Sequence, residues 1–318
     1  MITVVDHPDQ CRALWLRLVP PEGLFDLWEV RVCFQEHYGY QSRFLVAENG
    51  SGPTGLLALS EIADHGYWGF FPGETYHGKT WLEQNRLLAA TPDDRLELLA
   101  HCPDPAHLRY VSGQYAADGV AAEVDEVNYL FRPADYGGSF ERYLQAFSGK
   151  SRKRLRRELD ELEARGVSYR YDDPSDIDRA FAMNLELFGD RSYFADERFL
   201  SSFRGLCHML GQRGWLRVTA LLLGGRIAAV DVGAVYRNVY TVLGGGTDAS
   251  FAGVAKLINF HHIQWACQQR LDTLDFLCGD FGWKERFHLT ARPMYQIRKG
   301  CADMASPAER AGTRVDVT

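Results

Sequence analysis

An acidic residue interrupts an apolar stretch in the second half of the chain. Asp231 lies within residues 226–236, where most of its neighbours are Ala, Val, Ile or Gly. A buried carboxylate is costly unless it is paired, and removal from water makes a carboxylate a stronger base. We therefore predict that Asp231 is a catalytic residue that acts as a general base. The alternative is a structural aspartate that pairs with Arg226 or Arg237.

Three consecutive glycines follow this stretch and precede a segment with helical periodicity. A β-branched run leads into residues 244–246, all glycine, and a helix is predicted to begin near Ala252. A glycine-rich turn before a helix places unpaired N–H groups and the helix dipole where they can hold a phosphate. The predicted cofactor-binding residues are Leu243, Gly244, Gly245, Ala252, Gly253, Val254 and Ala255. Neither common nucleotide-binding motif is present, so the alternative is a hairpin end with Thr247 or Ser250 capping the helix.

Two other stretches have side chains that suit a polar substrate. Residues 71–81 mix aromatic and charged side chains on a predicted loop, where Glu74, Tyr76 and Lys79 are candidate substrate-binding residues. The alternative is a well-packed surface loop. Residues 150–157 contain six basic residues in eight positions. This run either receives an anionic substrate or is a solvated face, partly neutralised by the acidic residues that follow.

Composition limits the classes of function. The chain has 318 residues, enough for two domains, and 46% of them are hydrophobic. A net charge of −7 argues against a general DNA-binding protein. The seven cysteines form no C-x-x-C pair, which favours reduced thiols in the cytoplasm. No apolar run reaches the roughly 18–20 residues of a membrane span. His101, Cys102 and His107 lack a fourth ligand at an established spacing, so no metal site is predicted.

Hydrophobic periodicity predicts the same order of elements in both halves, namely helices, a strand meander, a helix and a strand. Helices are predicted over residues 11–19, 24–37, 91–102, 139–147, 150–166, 176–188 and 197–210, and from about 252. Strands are predicted over 43–47, 55–60, 67–70, 108–112, 124–131, 215–223, 226–236, 239–243 and 273–277, with a terminal strand pair over 288–299.

Four segments carry a resemblance to a known family. They are residues 224–229 (GGRIAA), 251–255 (FAGVA), 275–280 (DFLCGD) and 283–287 (WKERF). In this order they resemble the GNAT acyltransferase superfamily, specifically the FemAB-like branch that includes acetyltransferases associated with cellulose biosynthesis. Ser250 stands where ordinary GNAT proteins have Gln or Arg before their pyrophosphate-binding turn.

The resemblance implies an α/β (α+β) fold with two tandem GNAT-like domains, each a mixed, mostly antiparallel sheet flanked by helices. Residues 1–147 would form a domain degenerate in donor binding, and residues 148–318 the acyl-donor-binding domain. Lys284 resembles a position that FemAB-like enzymes use near substrate phosphates or the reacting carbonyl, and we predict it to be catalytic. Asp280, Trp283 and Tyr193 are predicted substrate-binding residues, with Asp280 at the end of a strand beside the donor groove and Tyr193 on a loop that would close over the acceptor.

The function implied is that of an N-acyltransferase. It would move an acyl group from acyl-CoA, either acetyl-CoA or a longer one, to a primary amine on a small molecule, sugar or cell-envelope precursor. The acceptor would bind between the domains, without a metal, in a cytoplasmic protein. One alternative is a FemAB-type transferase that uses aminoacyl-tRNA. Another is a non-catalytic GNAT scaffold in envelope polysaccharide or lipid assembly, which Ser250 favours.

Overall fold

The chain forms two compact units in the computed structural model, which describes residues 1–116, 120–279 and 282–300. We call them the first and second units. The first consists of Met1–Pro21, Phe25–Glu126 and the described residues from Pro293, and the second of Glu22–Leu24 and Val127–Arg292. Each unit contains a sheet with helices packed against it.

The helices and strands follow closely from the periodicity of the sequence. The first half contains β1 (Ile2–Val5), α1 (Pro8–Leu18), α2 (Trp28–Tyr38), β2 (Ser42–Asn49), β3 (Gly52–Ile62), β4 (Tyr67–Phe70), β5 (Leu88–Ala89), α3 (Pro92–His101), β6 (Ala106–Ser112), α4 (Gly113–Ala116) and β7 (Glu123–Phe131). The second half contains α5 (Phe140–Gln145), α6 (Gly149–Glu163), β8 (Val167–Tyr171), α7 (Ser175–Phe188), α8 (Glu197–Gln212), β9 (Leu216–Leu223), β10 (Arg226–Tyr236), β11 (Val239–Thr247), α9 (Val254–Gln269), β12 (Thr273–Cys278) and β13 (Thr290–Lys299). The described residues also contain five short 3₁₀ turns, at Leu24–Asp26, Pro133–Tyr136, Gly189–Arg191, Tyr193–Ala195 and Glu285–Phe287.

The two halves repeat one topology. In the first, β1, β2, β3 and β4 pair antiparallel in that order, and β4 then pairs parallel with β6. In the second, β8, β9, β10 and β11 pair antiparallel, and β11 then pairs parallel with β12. In both, two helices follow the first strand and one helix precedes the last. This repeat confirms the expected tandem fold with mixed sheets flanked by helices.

Each unit is completed by a strand from outside its own repeat. β7 follows the first repeat in sequence, but its second part, from Val127, pairs antiparallel with β12 in the second unit. β13 follows the second repeat, but from Met294 it pairs antiparallel with β6 in the first unit. The compact units therefore differ from the division at 147/148 expected from the sequence. Sequence patterning predicts that a strand exists but not which strand it pairs with.

The triple glycine lies inside β11 and not in a turn, which corrects our expectation. β11 stays paired with β10 as far as Thr247. A Cβ atom on Gly246 would lie 2.5 Å from Met183 Cβ and 2.6 Å from the Ala180 carbonyl oxygen, both on α7. A Cβ atom on Gly245 would overlap the Asp231 carboxylate. Glycine at these two positions lets other groups approach both faces of the strand closely, which is one reason why glycine occurs within strands.

Two further differences separate the structure from the expectations drawn from the sequence. β1 and β8, the edge strands of the two repeats, were missed because each is short and partly exposed. The terminal strand pair is a single strand, β13, preceded by a 3₁₀ turn and by His288 in the left-handed region (φ 52°). Within the described residues, no helix is long and apolar enough to cross a membrane.

Candidate active site

A gap opens between the two parallel strands of the second unit. β11 and β12 pair only over Val239–Thr241 and Thr273–Asp275. Beyond these residues β11 continues beside β10, and β12 continues beside β7. Two strands that separate in this way lose their ladder partners beyond the last pair. On β12 the carbonyl oxygens of Phe276, Leu277 and Cys278 accept from Lys284 instead, and on β11 the Gly245 carbonyl oxygen accepts from Asn184 Nδ2 (2.6 Å). An extended ligand with amide groups can bind to such edges as an added strand would.

A β-bulge lies in β11 at the point where the strands separate. Val232 pairs with Gly244, whereas the next residue, Gly233, pairs with Val242. Leu243 is therefore the additional residue, and its side chain is buried. A bulge changes the direction of the neighbouring backbone groups, and bulges are frequent next to active sites. This geometry places the predicted residues Leu243, Gly244 and Gly245 along the edge of the gap.

The start of α9 is exposed and lacks a side-chain cap. Its N-cap is Gly253, in the left-handed region with φ 85°, and the helix begins at Val254, two residues later than expected. Ala252, Gly253 and Ala255 are exposed to solvent. In the described part of the chain, the backbone N–H groups of Val254 and Ala255 have no hydrogen-bond acceptor. These N–H groups and the helix dipole together favour an anion.

Neither Thr247 nor Ser250 caps α9, contrary to the alternative drawn from the sequence. Ser250 instead donates through its backbone N–H (2.9 Å) and its hydroxyl (2.6 Å) to the Asp248 carboxylate. The Phe251 N–H donates to the Asp248 carbonyl oxygen (3.0 Å). The turn between β11 and α9 is thus closed by Asp248, which leaves the first turn of α9 uncovered.

Asp231 pairs with a histidine of α9. His262 Nε2 donates to Asp231 Oδ2 over 2.9 Å, and the His262 side chain is 1% exposed against 13% for Asp231. Arg226 lies near Asp248 instead (3.8 Å), and no bond joins Asp231 to Arg237 in the described residues, so both alternative partners were wrong. The carboxylate is the more accessible member of the pair. His262 therefore orients Asp231, which keeps Oδ1 for a further partner.

Lys284 is held by the carbonyl groups at the end of β12. Its side chain is 2% exposed, and Nζ donates to the carbonyl oxygens of Phe276 (2.9 Å), Leu277 (2.8 Å) and Cys278 (3.0 Å). The ammonium group also lies 5.4 Å from the centre of the Tyr129 ring. An ammonium group has three N–H donors, so these three bonds account for all of them. The position fits an anchor for β12 better than a group that reaches a substrate.

A second buried polar group secures β12, and sequence reasoning missed it. The Asp275 carboxylate accepts from Asn128 Nδ2 (2.8 Å) and from the Leu277 N–H (2.8 Å). Arg292 Nε donates to Asn128 Oδ1 (3.1 Å). Asp275 interrupts an apolar strand just as Asp231 does, and this interruption is the sequence signal of a buried, hydrogen-bonded carboxylate. Asn128 gave none, because it lies far from Asp275 in sequence.

Comparisons with known proteins concern the sequence of the second half and the fold of the chain. Residues 149–285 match the family model described as "Acetyltransferase (GNAT) domain". Among solved structures, FemX is 10% identical with a TM-score of 0.58, covering 94% of this chain and 98% of FemX. L-PGS from Bacillus licheniformis is 12% identical with a TM-score of 0.56, covering 94% of each chain. Residues 149–285 are thus similar in sequence to the GNAT acetyltransferase domain, and the fold of the chain is similar to that of FemX and of L-PGS.

One further solved structure is similar in fold. It is a conserved protein of unknown function from Bacteroides thetaiotaomicron VPI-5482, 15% identical with a TM-score of 0.57, and the match covers 94% of this chain and 99% of that one. A search of the curated proteins finds no match. At these identities the likeness to solved structures concerns the fold, whereas the family model concerns the sequence of the GNAT domain itself.

The other predicted residues of the GNAT domain lie in aromatic surroundings. Trp283 is half-buried, with its ring 5.5 Å from Phe276 and 5.0 Å from Phe287, both edge-on. Tyr193 is half-buried in a 3₁₀ turn, 5.1 Å from the Phe199 ring. Asp280 lies outside the described residues.

The remaining candidates belong to the first unit. Glu74 is 1% exposed, and its carboxylate accepts from Thr80 Oγ1 (2.6 Å) and from the N–H groups of Trp81 and Leu82. Burial raises the pKa of Glu74 to about 7, and these hydrogen bonds limit the rise. Tyr76 and Lys79 exchange backbone hydrogen bonds (2.8 and 2.9 Å) in a tight turn, and the Lys79 side chain is exposed. Glu74 therefore stabilises this segment through its hydrogen bonds to residues 80–82.

The basic run forms the first part of α6. Ser148 caps this helix by accepting from the Ser151 N–H (3.2 Å), and Leu155 and Leu162 are buried beneath it. Arg154, Arg156 and Arg157 form ion pairs with glutamates. In the part of the chain that the structure describes, Lys150, Arg152 and Lys153 have no acidic partner. The run is thus partly neutralised, and its first turn keeps a positive charge.

Proposed function

We propose that this protein transfers an acyl group from acyl-CoA to a primary amine on a small molecule, a sugar or a cell-envelope precursor. The observation that supports it most is the combination of two features in one unit. The first is the gap between β11 and β12, which has the bulge at Leu243 beside it. The second is the start of α9, the helix that follows β11 in sequence, which is exposed and has no side-chain cap. A donor with a pyrophosphate and an amide-containing arm matches both features.

The donor would be bound mainly by backbone groups. The N–H groups of Val254 and Ala255, with Ala252 and Gly253 beside them, would receive the pyrophosphate. The arm would lie along the edge of β11 at Leu243, Gly244 and Gly245. A backbone N–H at the edge of β11 would polarise the thioester carbonyl and stabilise the oxyanion that forms on attack. Gly244 leaves room beside the backbone here, since a Cβ atom on it would have its nearest contact at 3.5 Å, whereas Gly245 accommodates the Asp231 carboxylate.

Asp231 would accept a proton from the acceptor ammonium group. The neutral amine then attacks the thioester carbon, a C–N bond forms, the C–S bond breaks, and the proton that the attacking nitrogen loses passes to the leaving thiolate. His262 holds the Asp231 carboxylate in place through its 2.9 Å hydrogen bond. Holding both reactants against each other supplies much of the rate acceleration in such a transfer.

Other predicted residues have more limited proposed roles. We propose that Lys284 positions β12, and with it the gap, because its three N–H groups are bonded to three carbonyl groups. Trp283 and Tyr193 stay candidate acceptor contacts, each half-buried with an aromatic neighbour. Glu74, Tyr76 and Lys79 stay predicted substrate-binding residues of the first unit, and the exposed ammonium group of Lys79 is the one best placed for a ligand from solvent.

A second candidate donor is aminoacyl-tRNA, and the first turn of α6 is the observation that favours it. Lys150, Arg152 and Lys153 are basic residues without an acidic partner in the described residues, and several phosphates would neutralise them. The overall charge of −7 opposes this reading. A tRNA donor would bind with a steep dependence on salt concentration, whereas acyl-CoA would need the start of α9.

Isothermal titration of the full chain with acetyl-CoA, a long-chain acyl-CoA and free CoA tests the proposal. The sharpest variant is Ala255→Glu, with Ala255→Gln as its matched control. Ala255 is exposed in the first turn of α9, where a carboxylate stabilises the helix, so the variant should fold. We expect Glu to weaken acyl-CoA binding about tenfold or more, because it occupies the anion position with a like charge, and Gln to change it by less than about threefold.

The outcomes separate the candidates. Acyl-CoA binding that is lost in Ala255→Glu but kept in Ala255→Gln supports the donor site. Binding without turnover on any amine of a panel favours the non-catalytic scaffold. No binding of any CoA compound to the wild-type protein rules out the acyl-CoA proposal and leaves the tRNA donor to be tested by filter binding at increasing salt concentration.

A further inference from the structure

An arginine is buried in the first unit without a full set of partners. Arg31, on α2, is 3% exposed. Its Nε donates to the Phe25 carbonyl oxygen (2.8 Å), and its Nη1 donates to the Phe71 carbonyl oxygen (3.0 Å) and to Asn85 Oδ1 (2.7 Å). Within the described residues, the remaining nitrogen, Nη2, has no hydrogen-bond partner. Two N–H donors of a buried guanidinium are thus available.

The charge of Arg31 is not neutralised by an ion pair. The nearest acidic side chains are engaged elsewhere, because Asp26 pairs with Arg86 (2.7 Å) and Glu74 accepts its three hydrogen bonds from residues 80–82. Burial lowers the pKa of Arg31 to about 10, which still leaves it charged at neutral pH. The charges of Asp26 and Glu74 oppose this lowering of the pKa, but in the described residues neither side chain accepts a hydrogen bond from Arg31, so the guanidinium group keeps donors for a further anion.

Two small pockets border the guanidinium group. One is lined by Trp15, Leu56, Phe71 and Arg86, among others, and the second by Tyr67, Glu74, His107 and Arg109. Each has room for about one or two water molecules, which is the size of a carboxylate group and less than that of a phosphate with its substituents.

The other charged and titratable groups around the second pocket are already compensated. Arg109 forms a two-pronged ion pair with Asp125 through Nε (2.9 Å) and Nη2 (2.6 Å). His107 is bonded through Nε2 to Gln296 (2.7 Å), and burial lowers its pKa, which favours the neutral ring. Arg31 therefore supplies the available positive charge. Glu74, in the same lining, has its pKa raised by burial to about 7, and its ionised form at higher pH disfavours a dianion such as phosphate more than a singly charged carboxylate.

We propose that Arg31 anchors the carboxylate group of a small organic acid in the first unit. The acid's oxygen atoms would accept from Nη2, which lacks a protein partner, and the rest of the molecule would extend from the pocket toward solvent. The guanidinium group suits this task because its planar donors match a carboxylate. This site is separate from the proposed acyl-transfer chemistry and does not depend on it.

Saturation-transfer NMR on the full chain, without an acyl donor, tests this site. The probes are propionate, propionamide as its neutral counterpart, and inorganic phosphate. The variants are Arg31→Lys and, as a matched control, Arg43→Lys. Arg43 is a half-buried arginine of the same unit that stacks on Trp68 and lines neither pocket. A lysine at position 31 keeps the charge but cannot serve both Asn85 and a ligand.

We expect propionate to bind the wild-type protein, propionamide to give no signal, and Arg31→Lys to weaken propionate binding about tenfold or more while Arg43→Lys leaves it unchanged. If Arg31→Lys does not fold, Asn85→Asp replaces it, since a carboxylate beside Nη1 would neutralise the cation and abolish binding. Equal signals from propionate and propionamide, tighter binding of phosphate, or unchanged propionate affinity in a folded Arg31→Lys protein would each overturn the proposal.

Discussion

Replacing Asp231 by Asn separates a catalytic carboxylate from a structural one. Asn has nearly the same shape, and its carbonyl oxygen can still accept from His262 Nε2, the 2.9 Å bond of the native pair. The change therefore removes the negative charge and the ability to take a proton, but little of the packing. The partner of Asp231 across the β10–β11 ladder is Gly245, which has no side chain to be displaced.

The expected magnitude follows from this geometry. One charge-assisted hydrogen bond becomes a neutral one, so the free energy of unfolding should fall by only about 1 kcal/mol. Loss of a general base typically lowers the rate 10²- to 10⁴-fold, which is roughly 3–5 kcal/mol of transition-state stabilisation. The two readouts therefore differ by several kcal/mol, enough to assign the role of the carboxylate.

The assay is release of free CoA, followed with a thiol reagent, for each amine on which the wild-type protein is active. We expect Asp231→Asn to lower kcat at least about 100-fold with donor affinity unchanged in titration calorimetry. His262→Gln, which keeps a donor to the carboxylate, should lose less, because in our proposal it only orients Asp231. The reasoning is refuted if Asp231→Asn retains kcat within about threefold of wild type, or if it loses donor binding and stability together.

The remaining predictions concern stability. Lys284→Met should lower the free energy of unfolding by about 3 kcal/mol or more, because three buried carbonyl groups lose their donor. The control Lys256→Met breaks a half-exposed ion pair with Glu158 and should lower it by less than about 1 kcal/mol. Equal losses for the two variants in urea denaturation would contradict the anchoring role of Lys284. Gly246→Ala should cost about 1–3 kcal/mol, since its Cβ meets α7, whereas Gly244→Ala, with its nearest contact at 3.5 Å, should lower the melting temperature little or not at all. The pKa of Glu74 is raised from 4.5 to about 7 in the folded protein, so burial of its carboxyl group costs nothing below pH 4.5 and about 3 kcal/mol above pH 7. The free energy of unfolding of the wild type, relative to that of Glu74→Gln, should therefore fall by about 3 kcal/mol as the pH rises from 4.5 to 7. A difference between the two proteins that does not change with pH would refute this prediction.

The sequence predicted local structure better than it predicted partners. The strands of both meanders and the helices α3, α7 and α8 were foreseen within a few residues, because apolar periodicity and capping residues are local signals. Thr91, for example, caps α3 by accepting from the Asp94 N–H, as its place before Pro92 indicates. The pairing of β7 with β12 and of β13 with β6 depends on residues more than a hundred positions apart, which no local pattern contains.

The same limit applies to the site. Asp231 attracted attention because a charge in an apolar strand is visible in sequence, but its partner was sought among nearby arginines. The partner is His262, which α9 brings to the carboxylate from 31 positions away. Lys284 was recognised through the family resemblance, and the three carbonyl groups that surround it became apparent only with the backbone of β12. Residue type indicated that these positions matter, whereas the fold determined what each one contacts.

The glycines of β11 show how one pattern can have a correct and an incorrect interpretation. A phosphate-binding turn and a closely packed strand both need residues without a side chain. In this protein Gly246 accommodates α7 and Gly245 accommodates the Asp231 carboxylate, while the exposed N–H groups come later, at the start of α9. The glycines therefore contribute to the site indirectly, since a side chain at position 245 would displace the carboxylate that we propose as the base. In our proposal the donor-binding groups lie on β11 and at the start of α9, whereas the base lies on the neighbouring strand β10, opposite Gly245 and close to the bulge at Leu243.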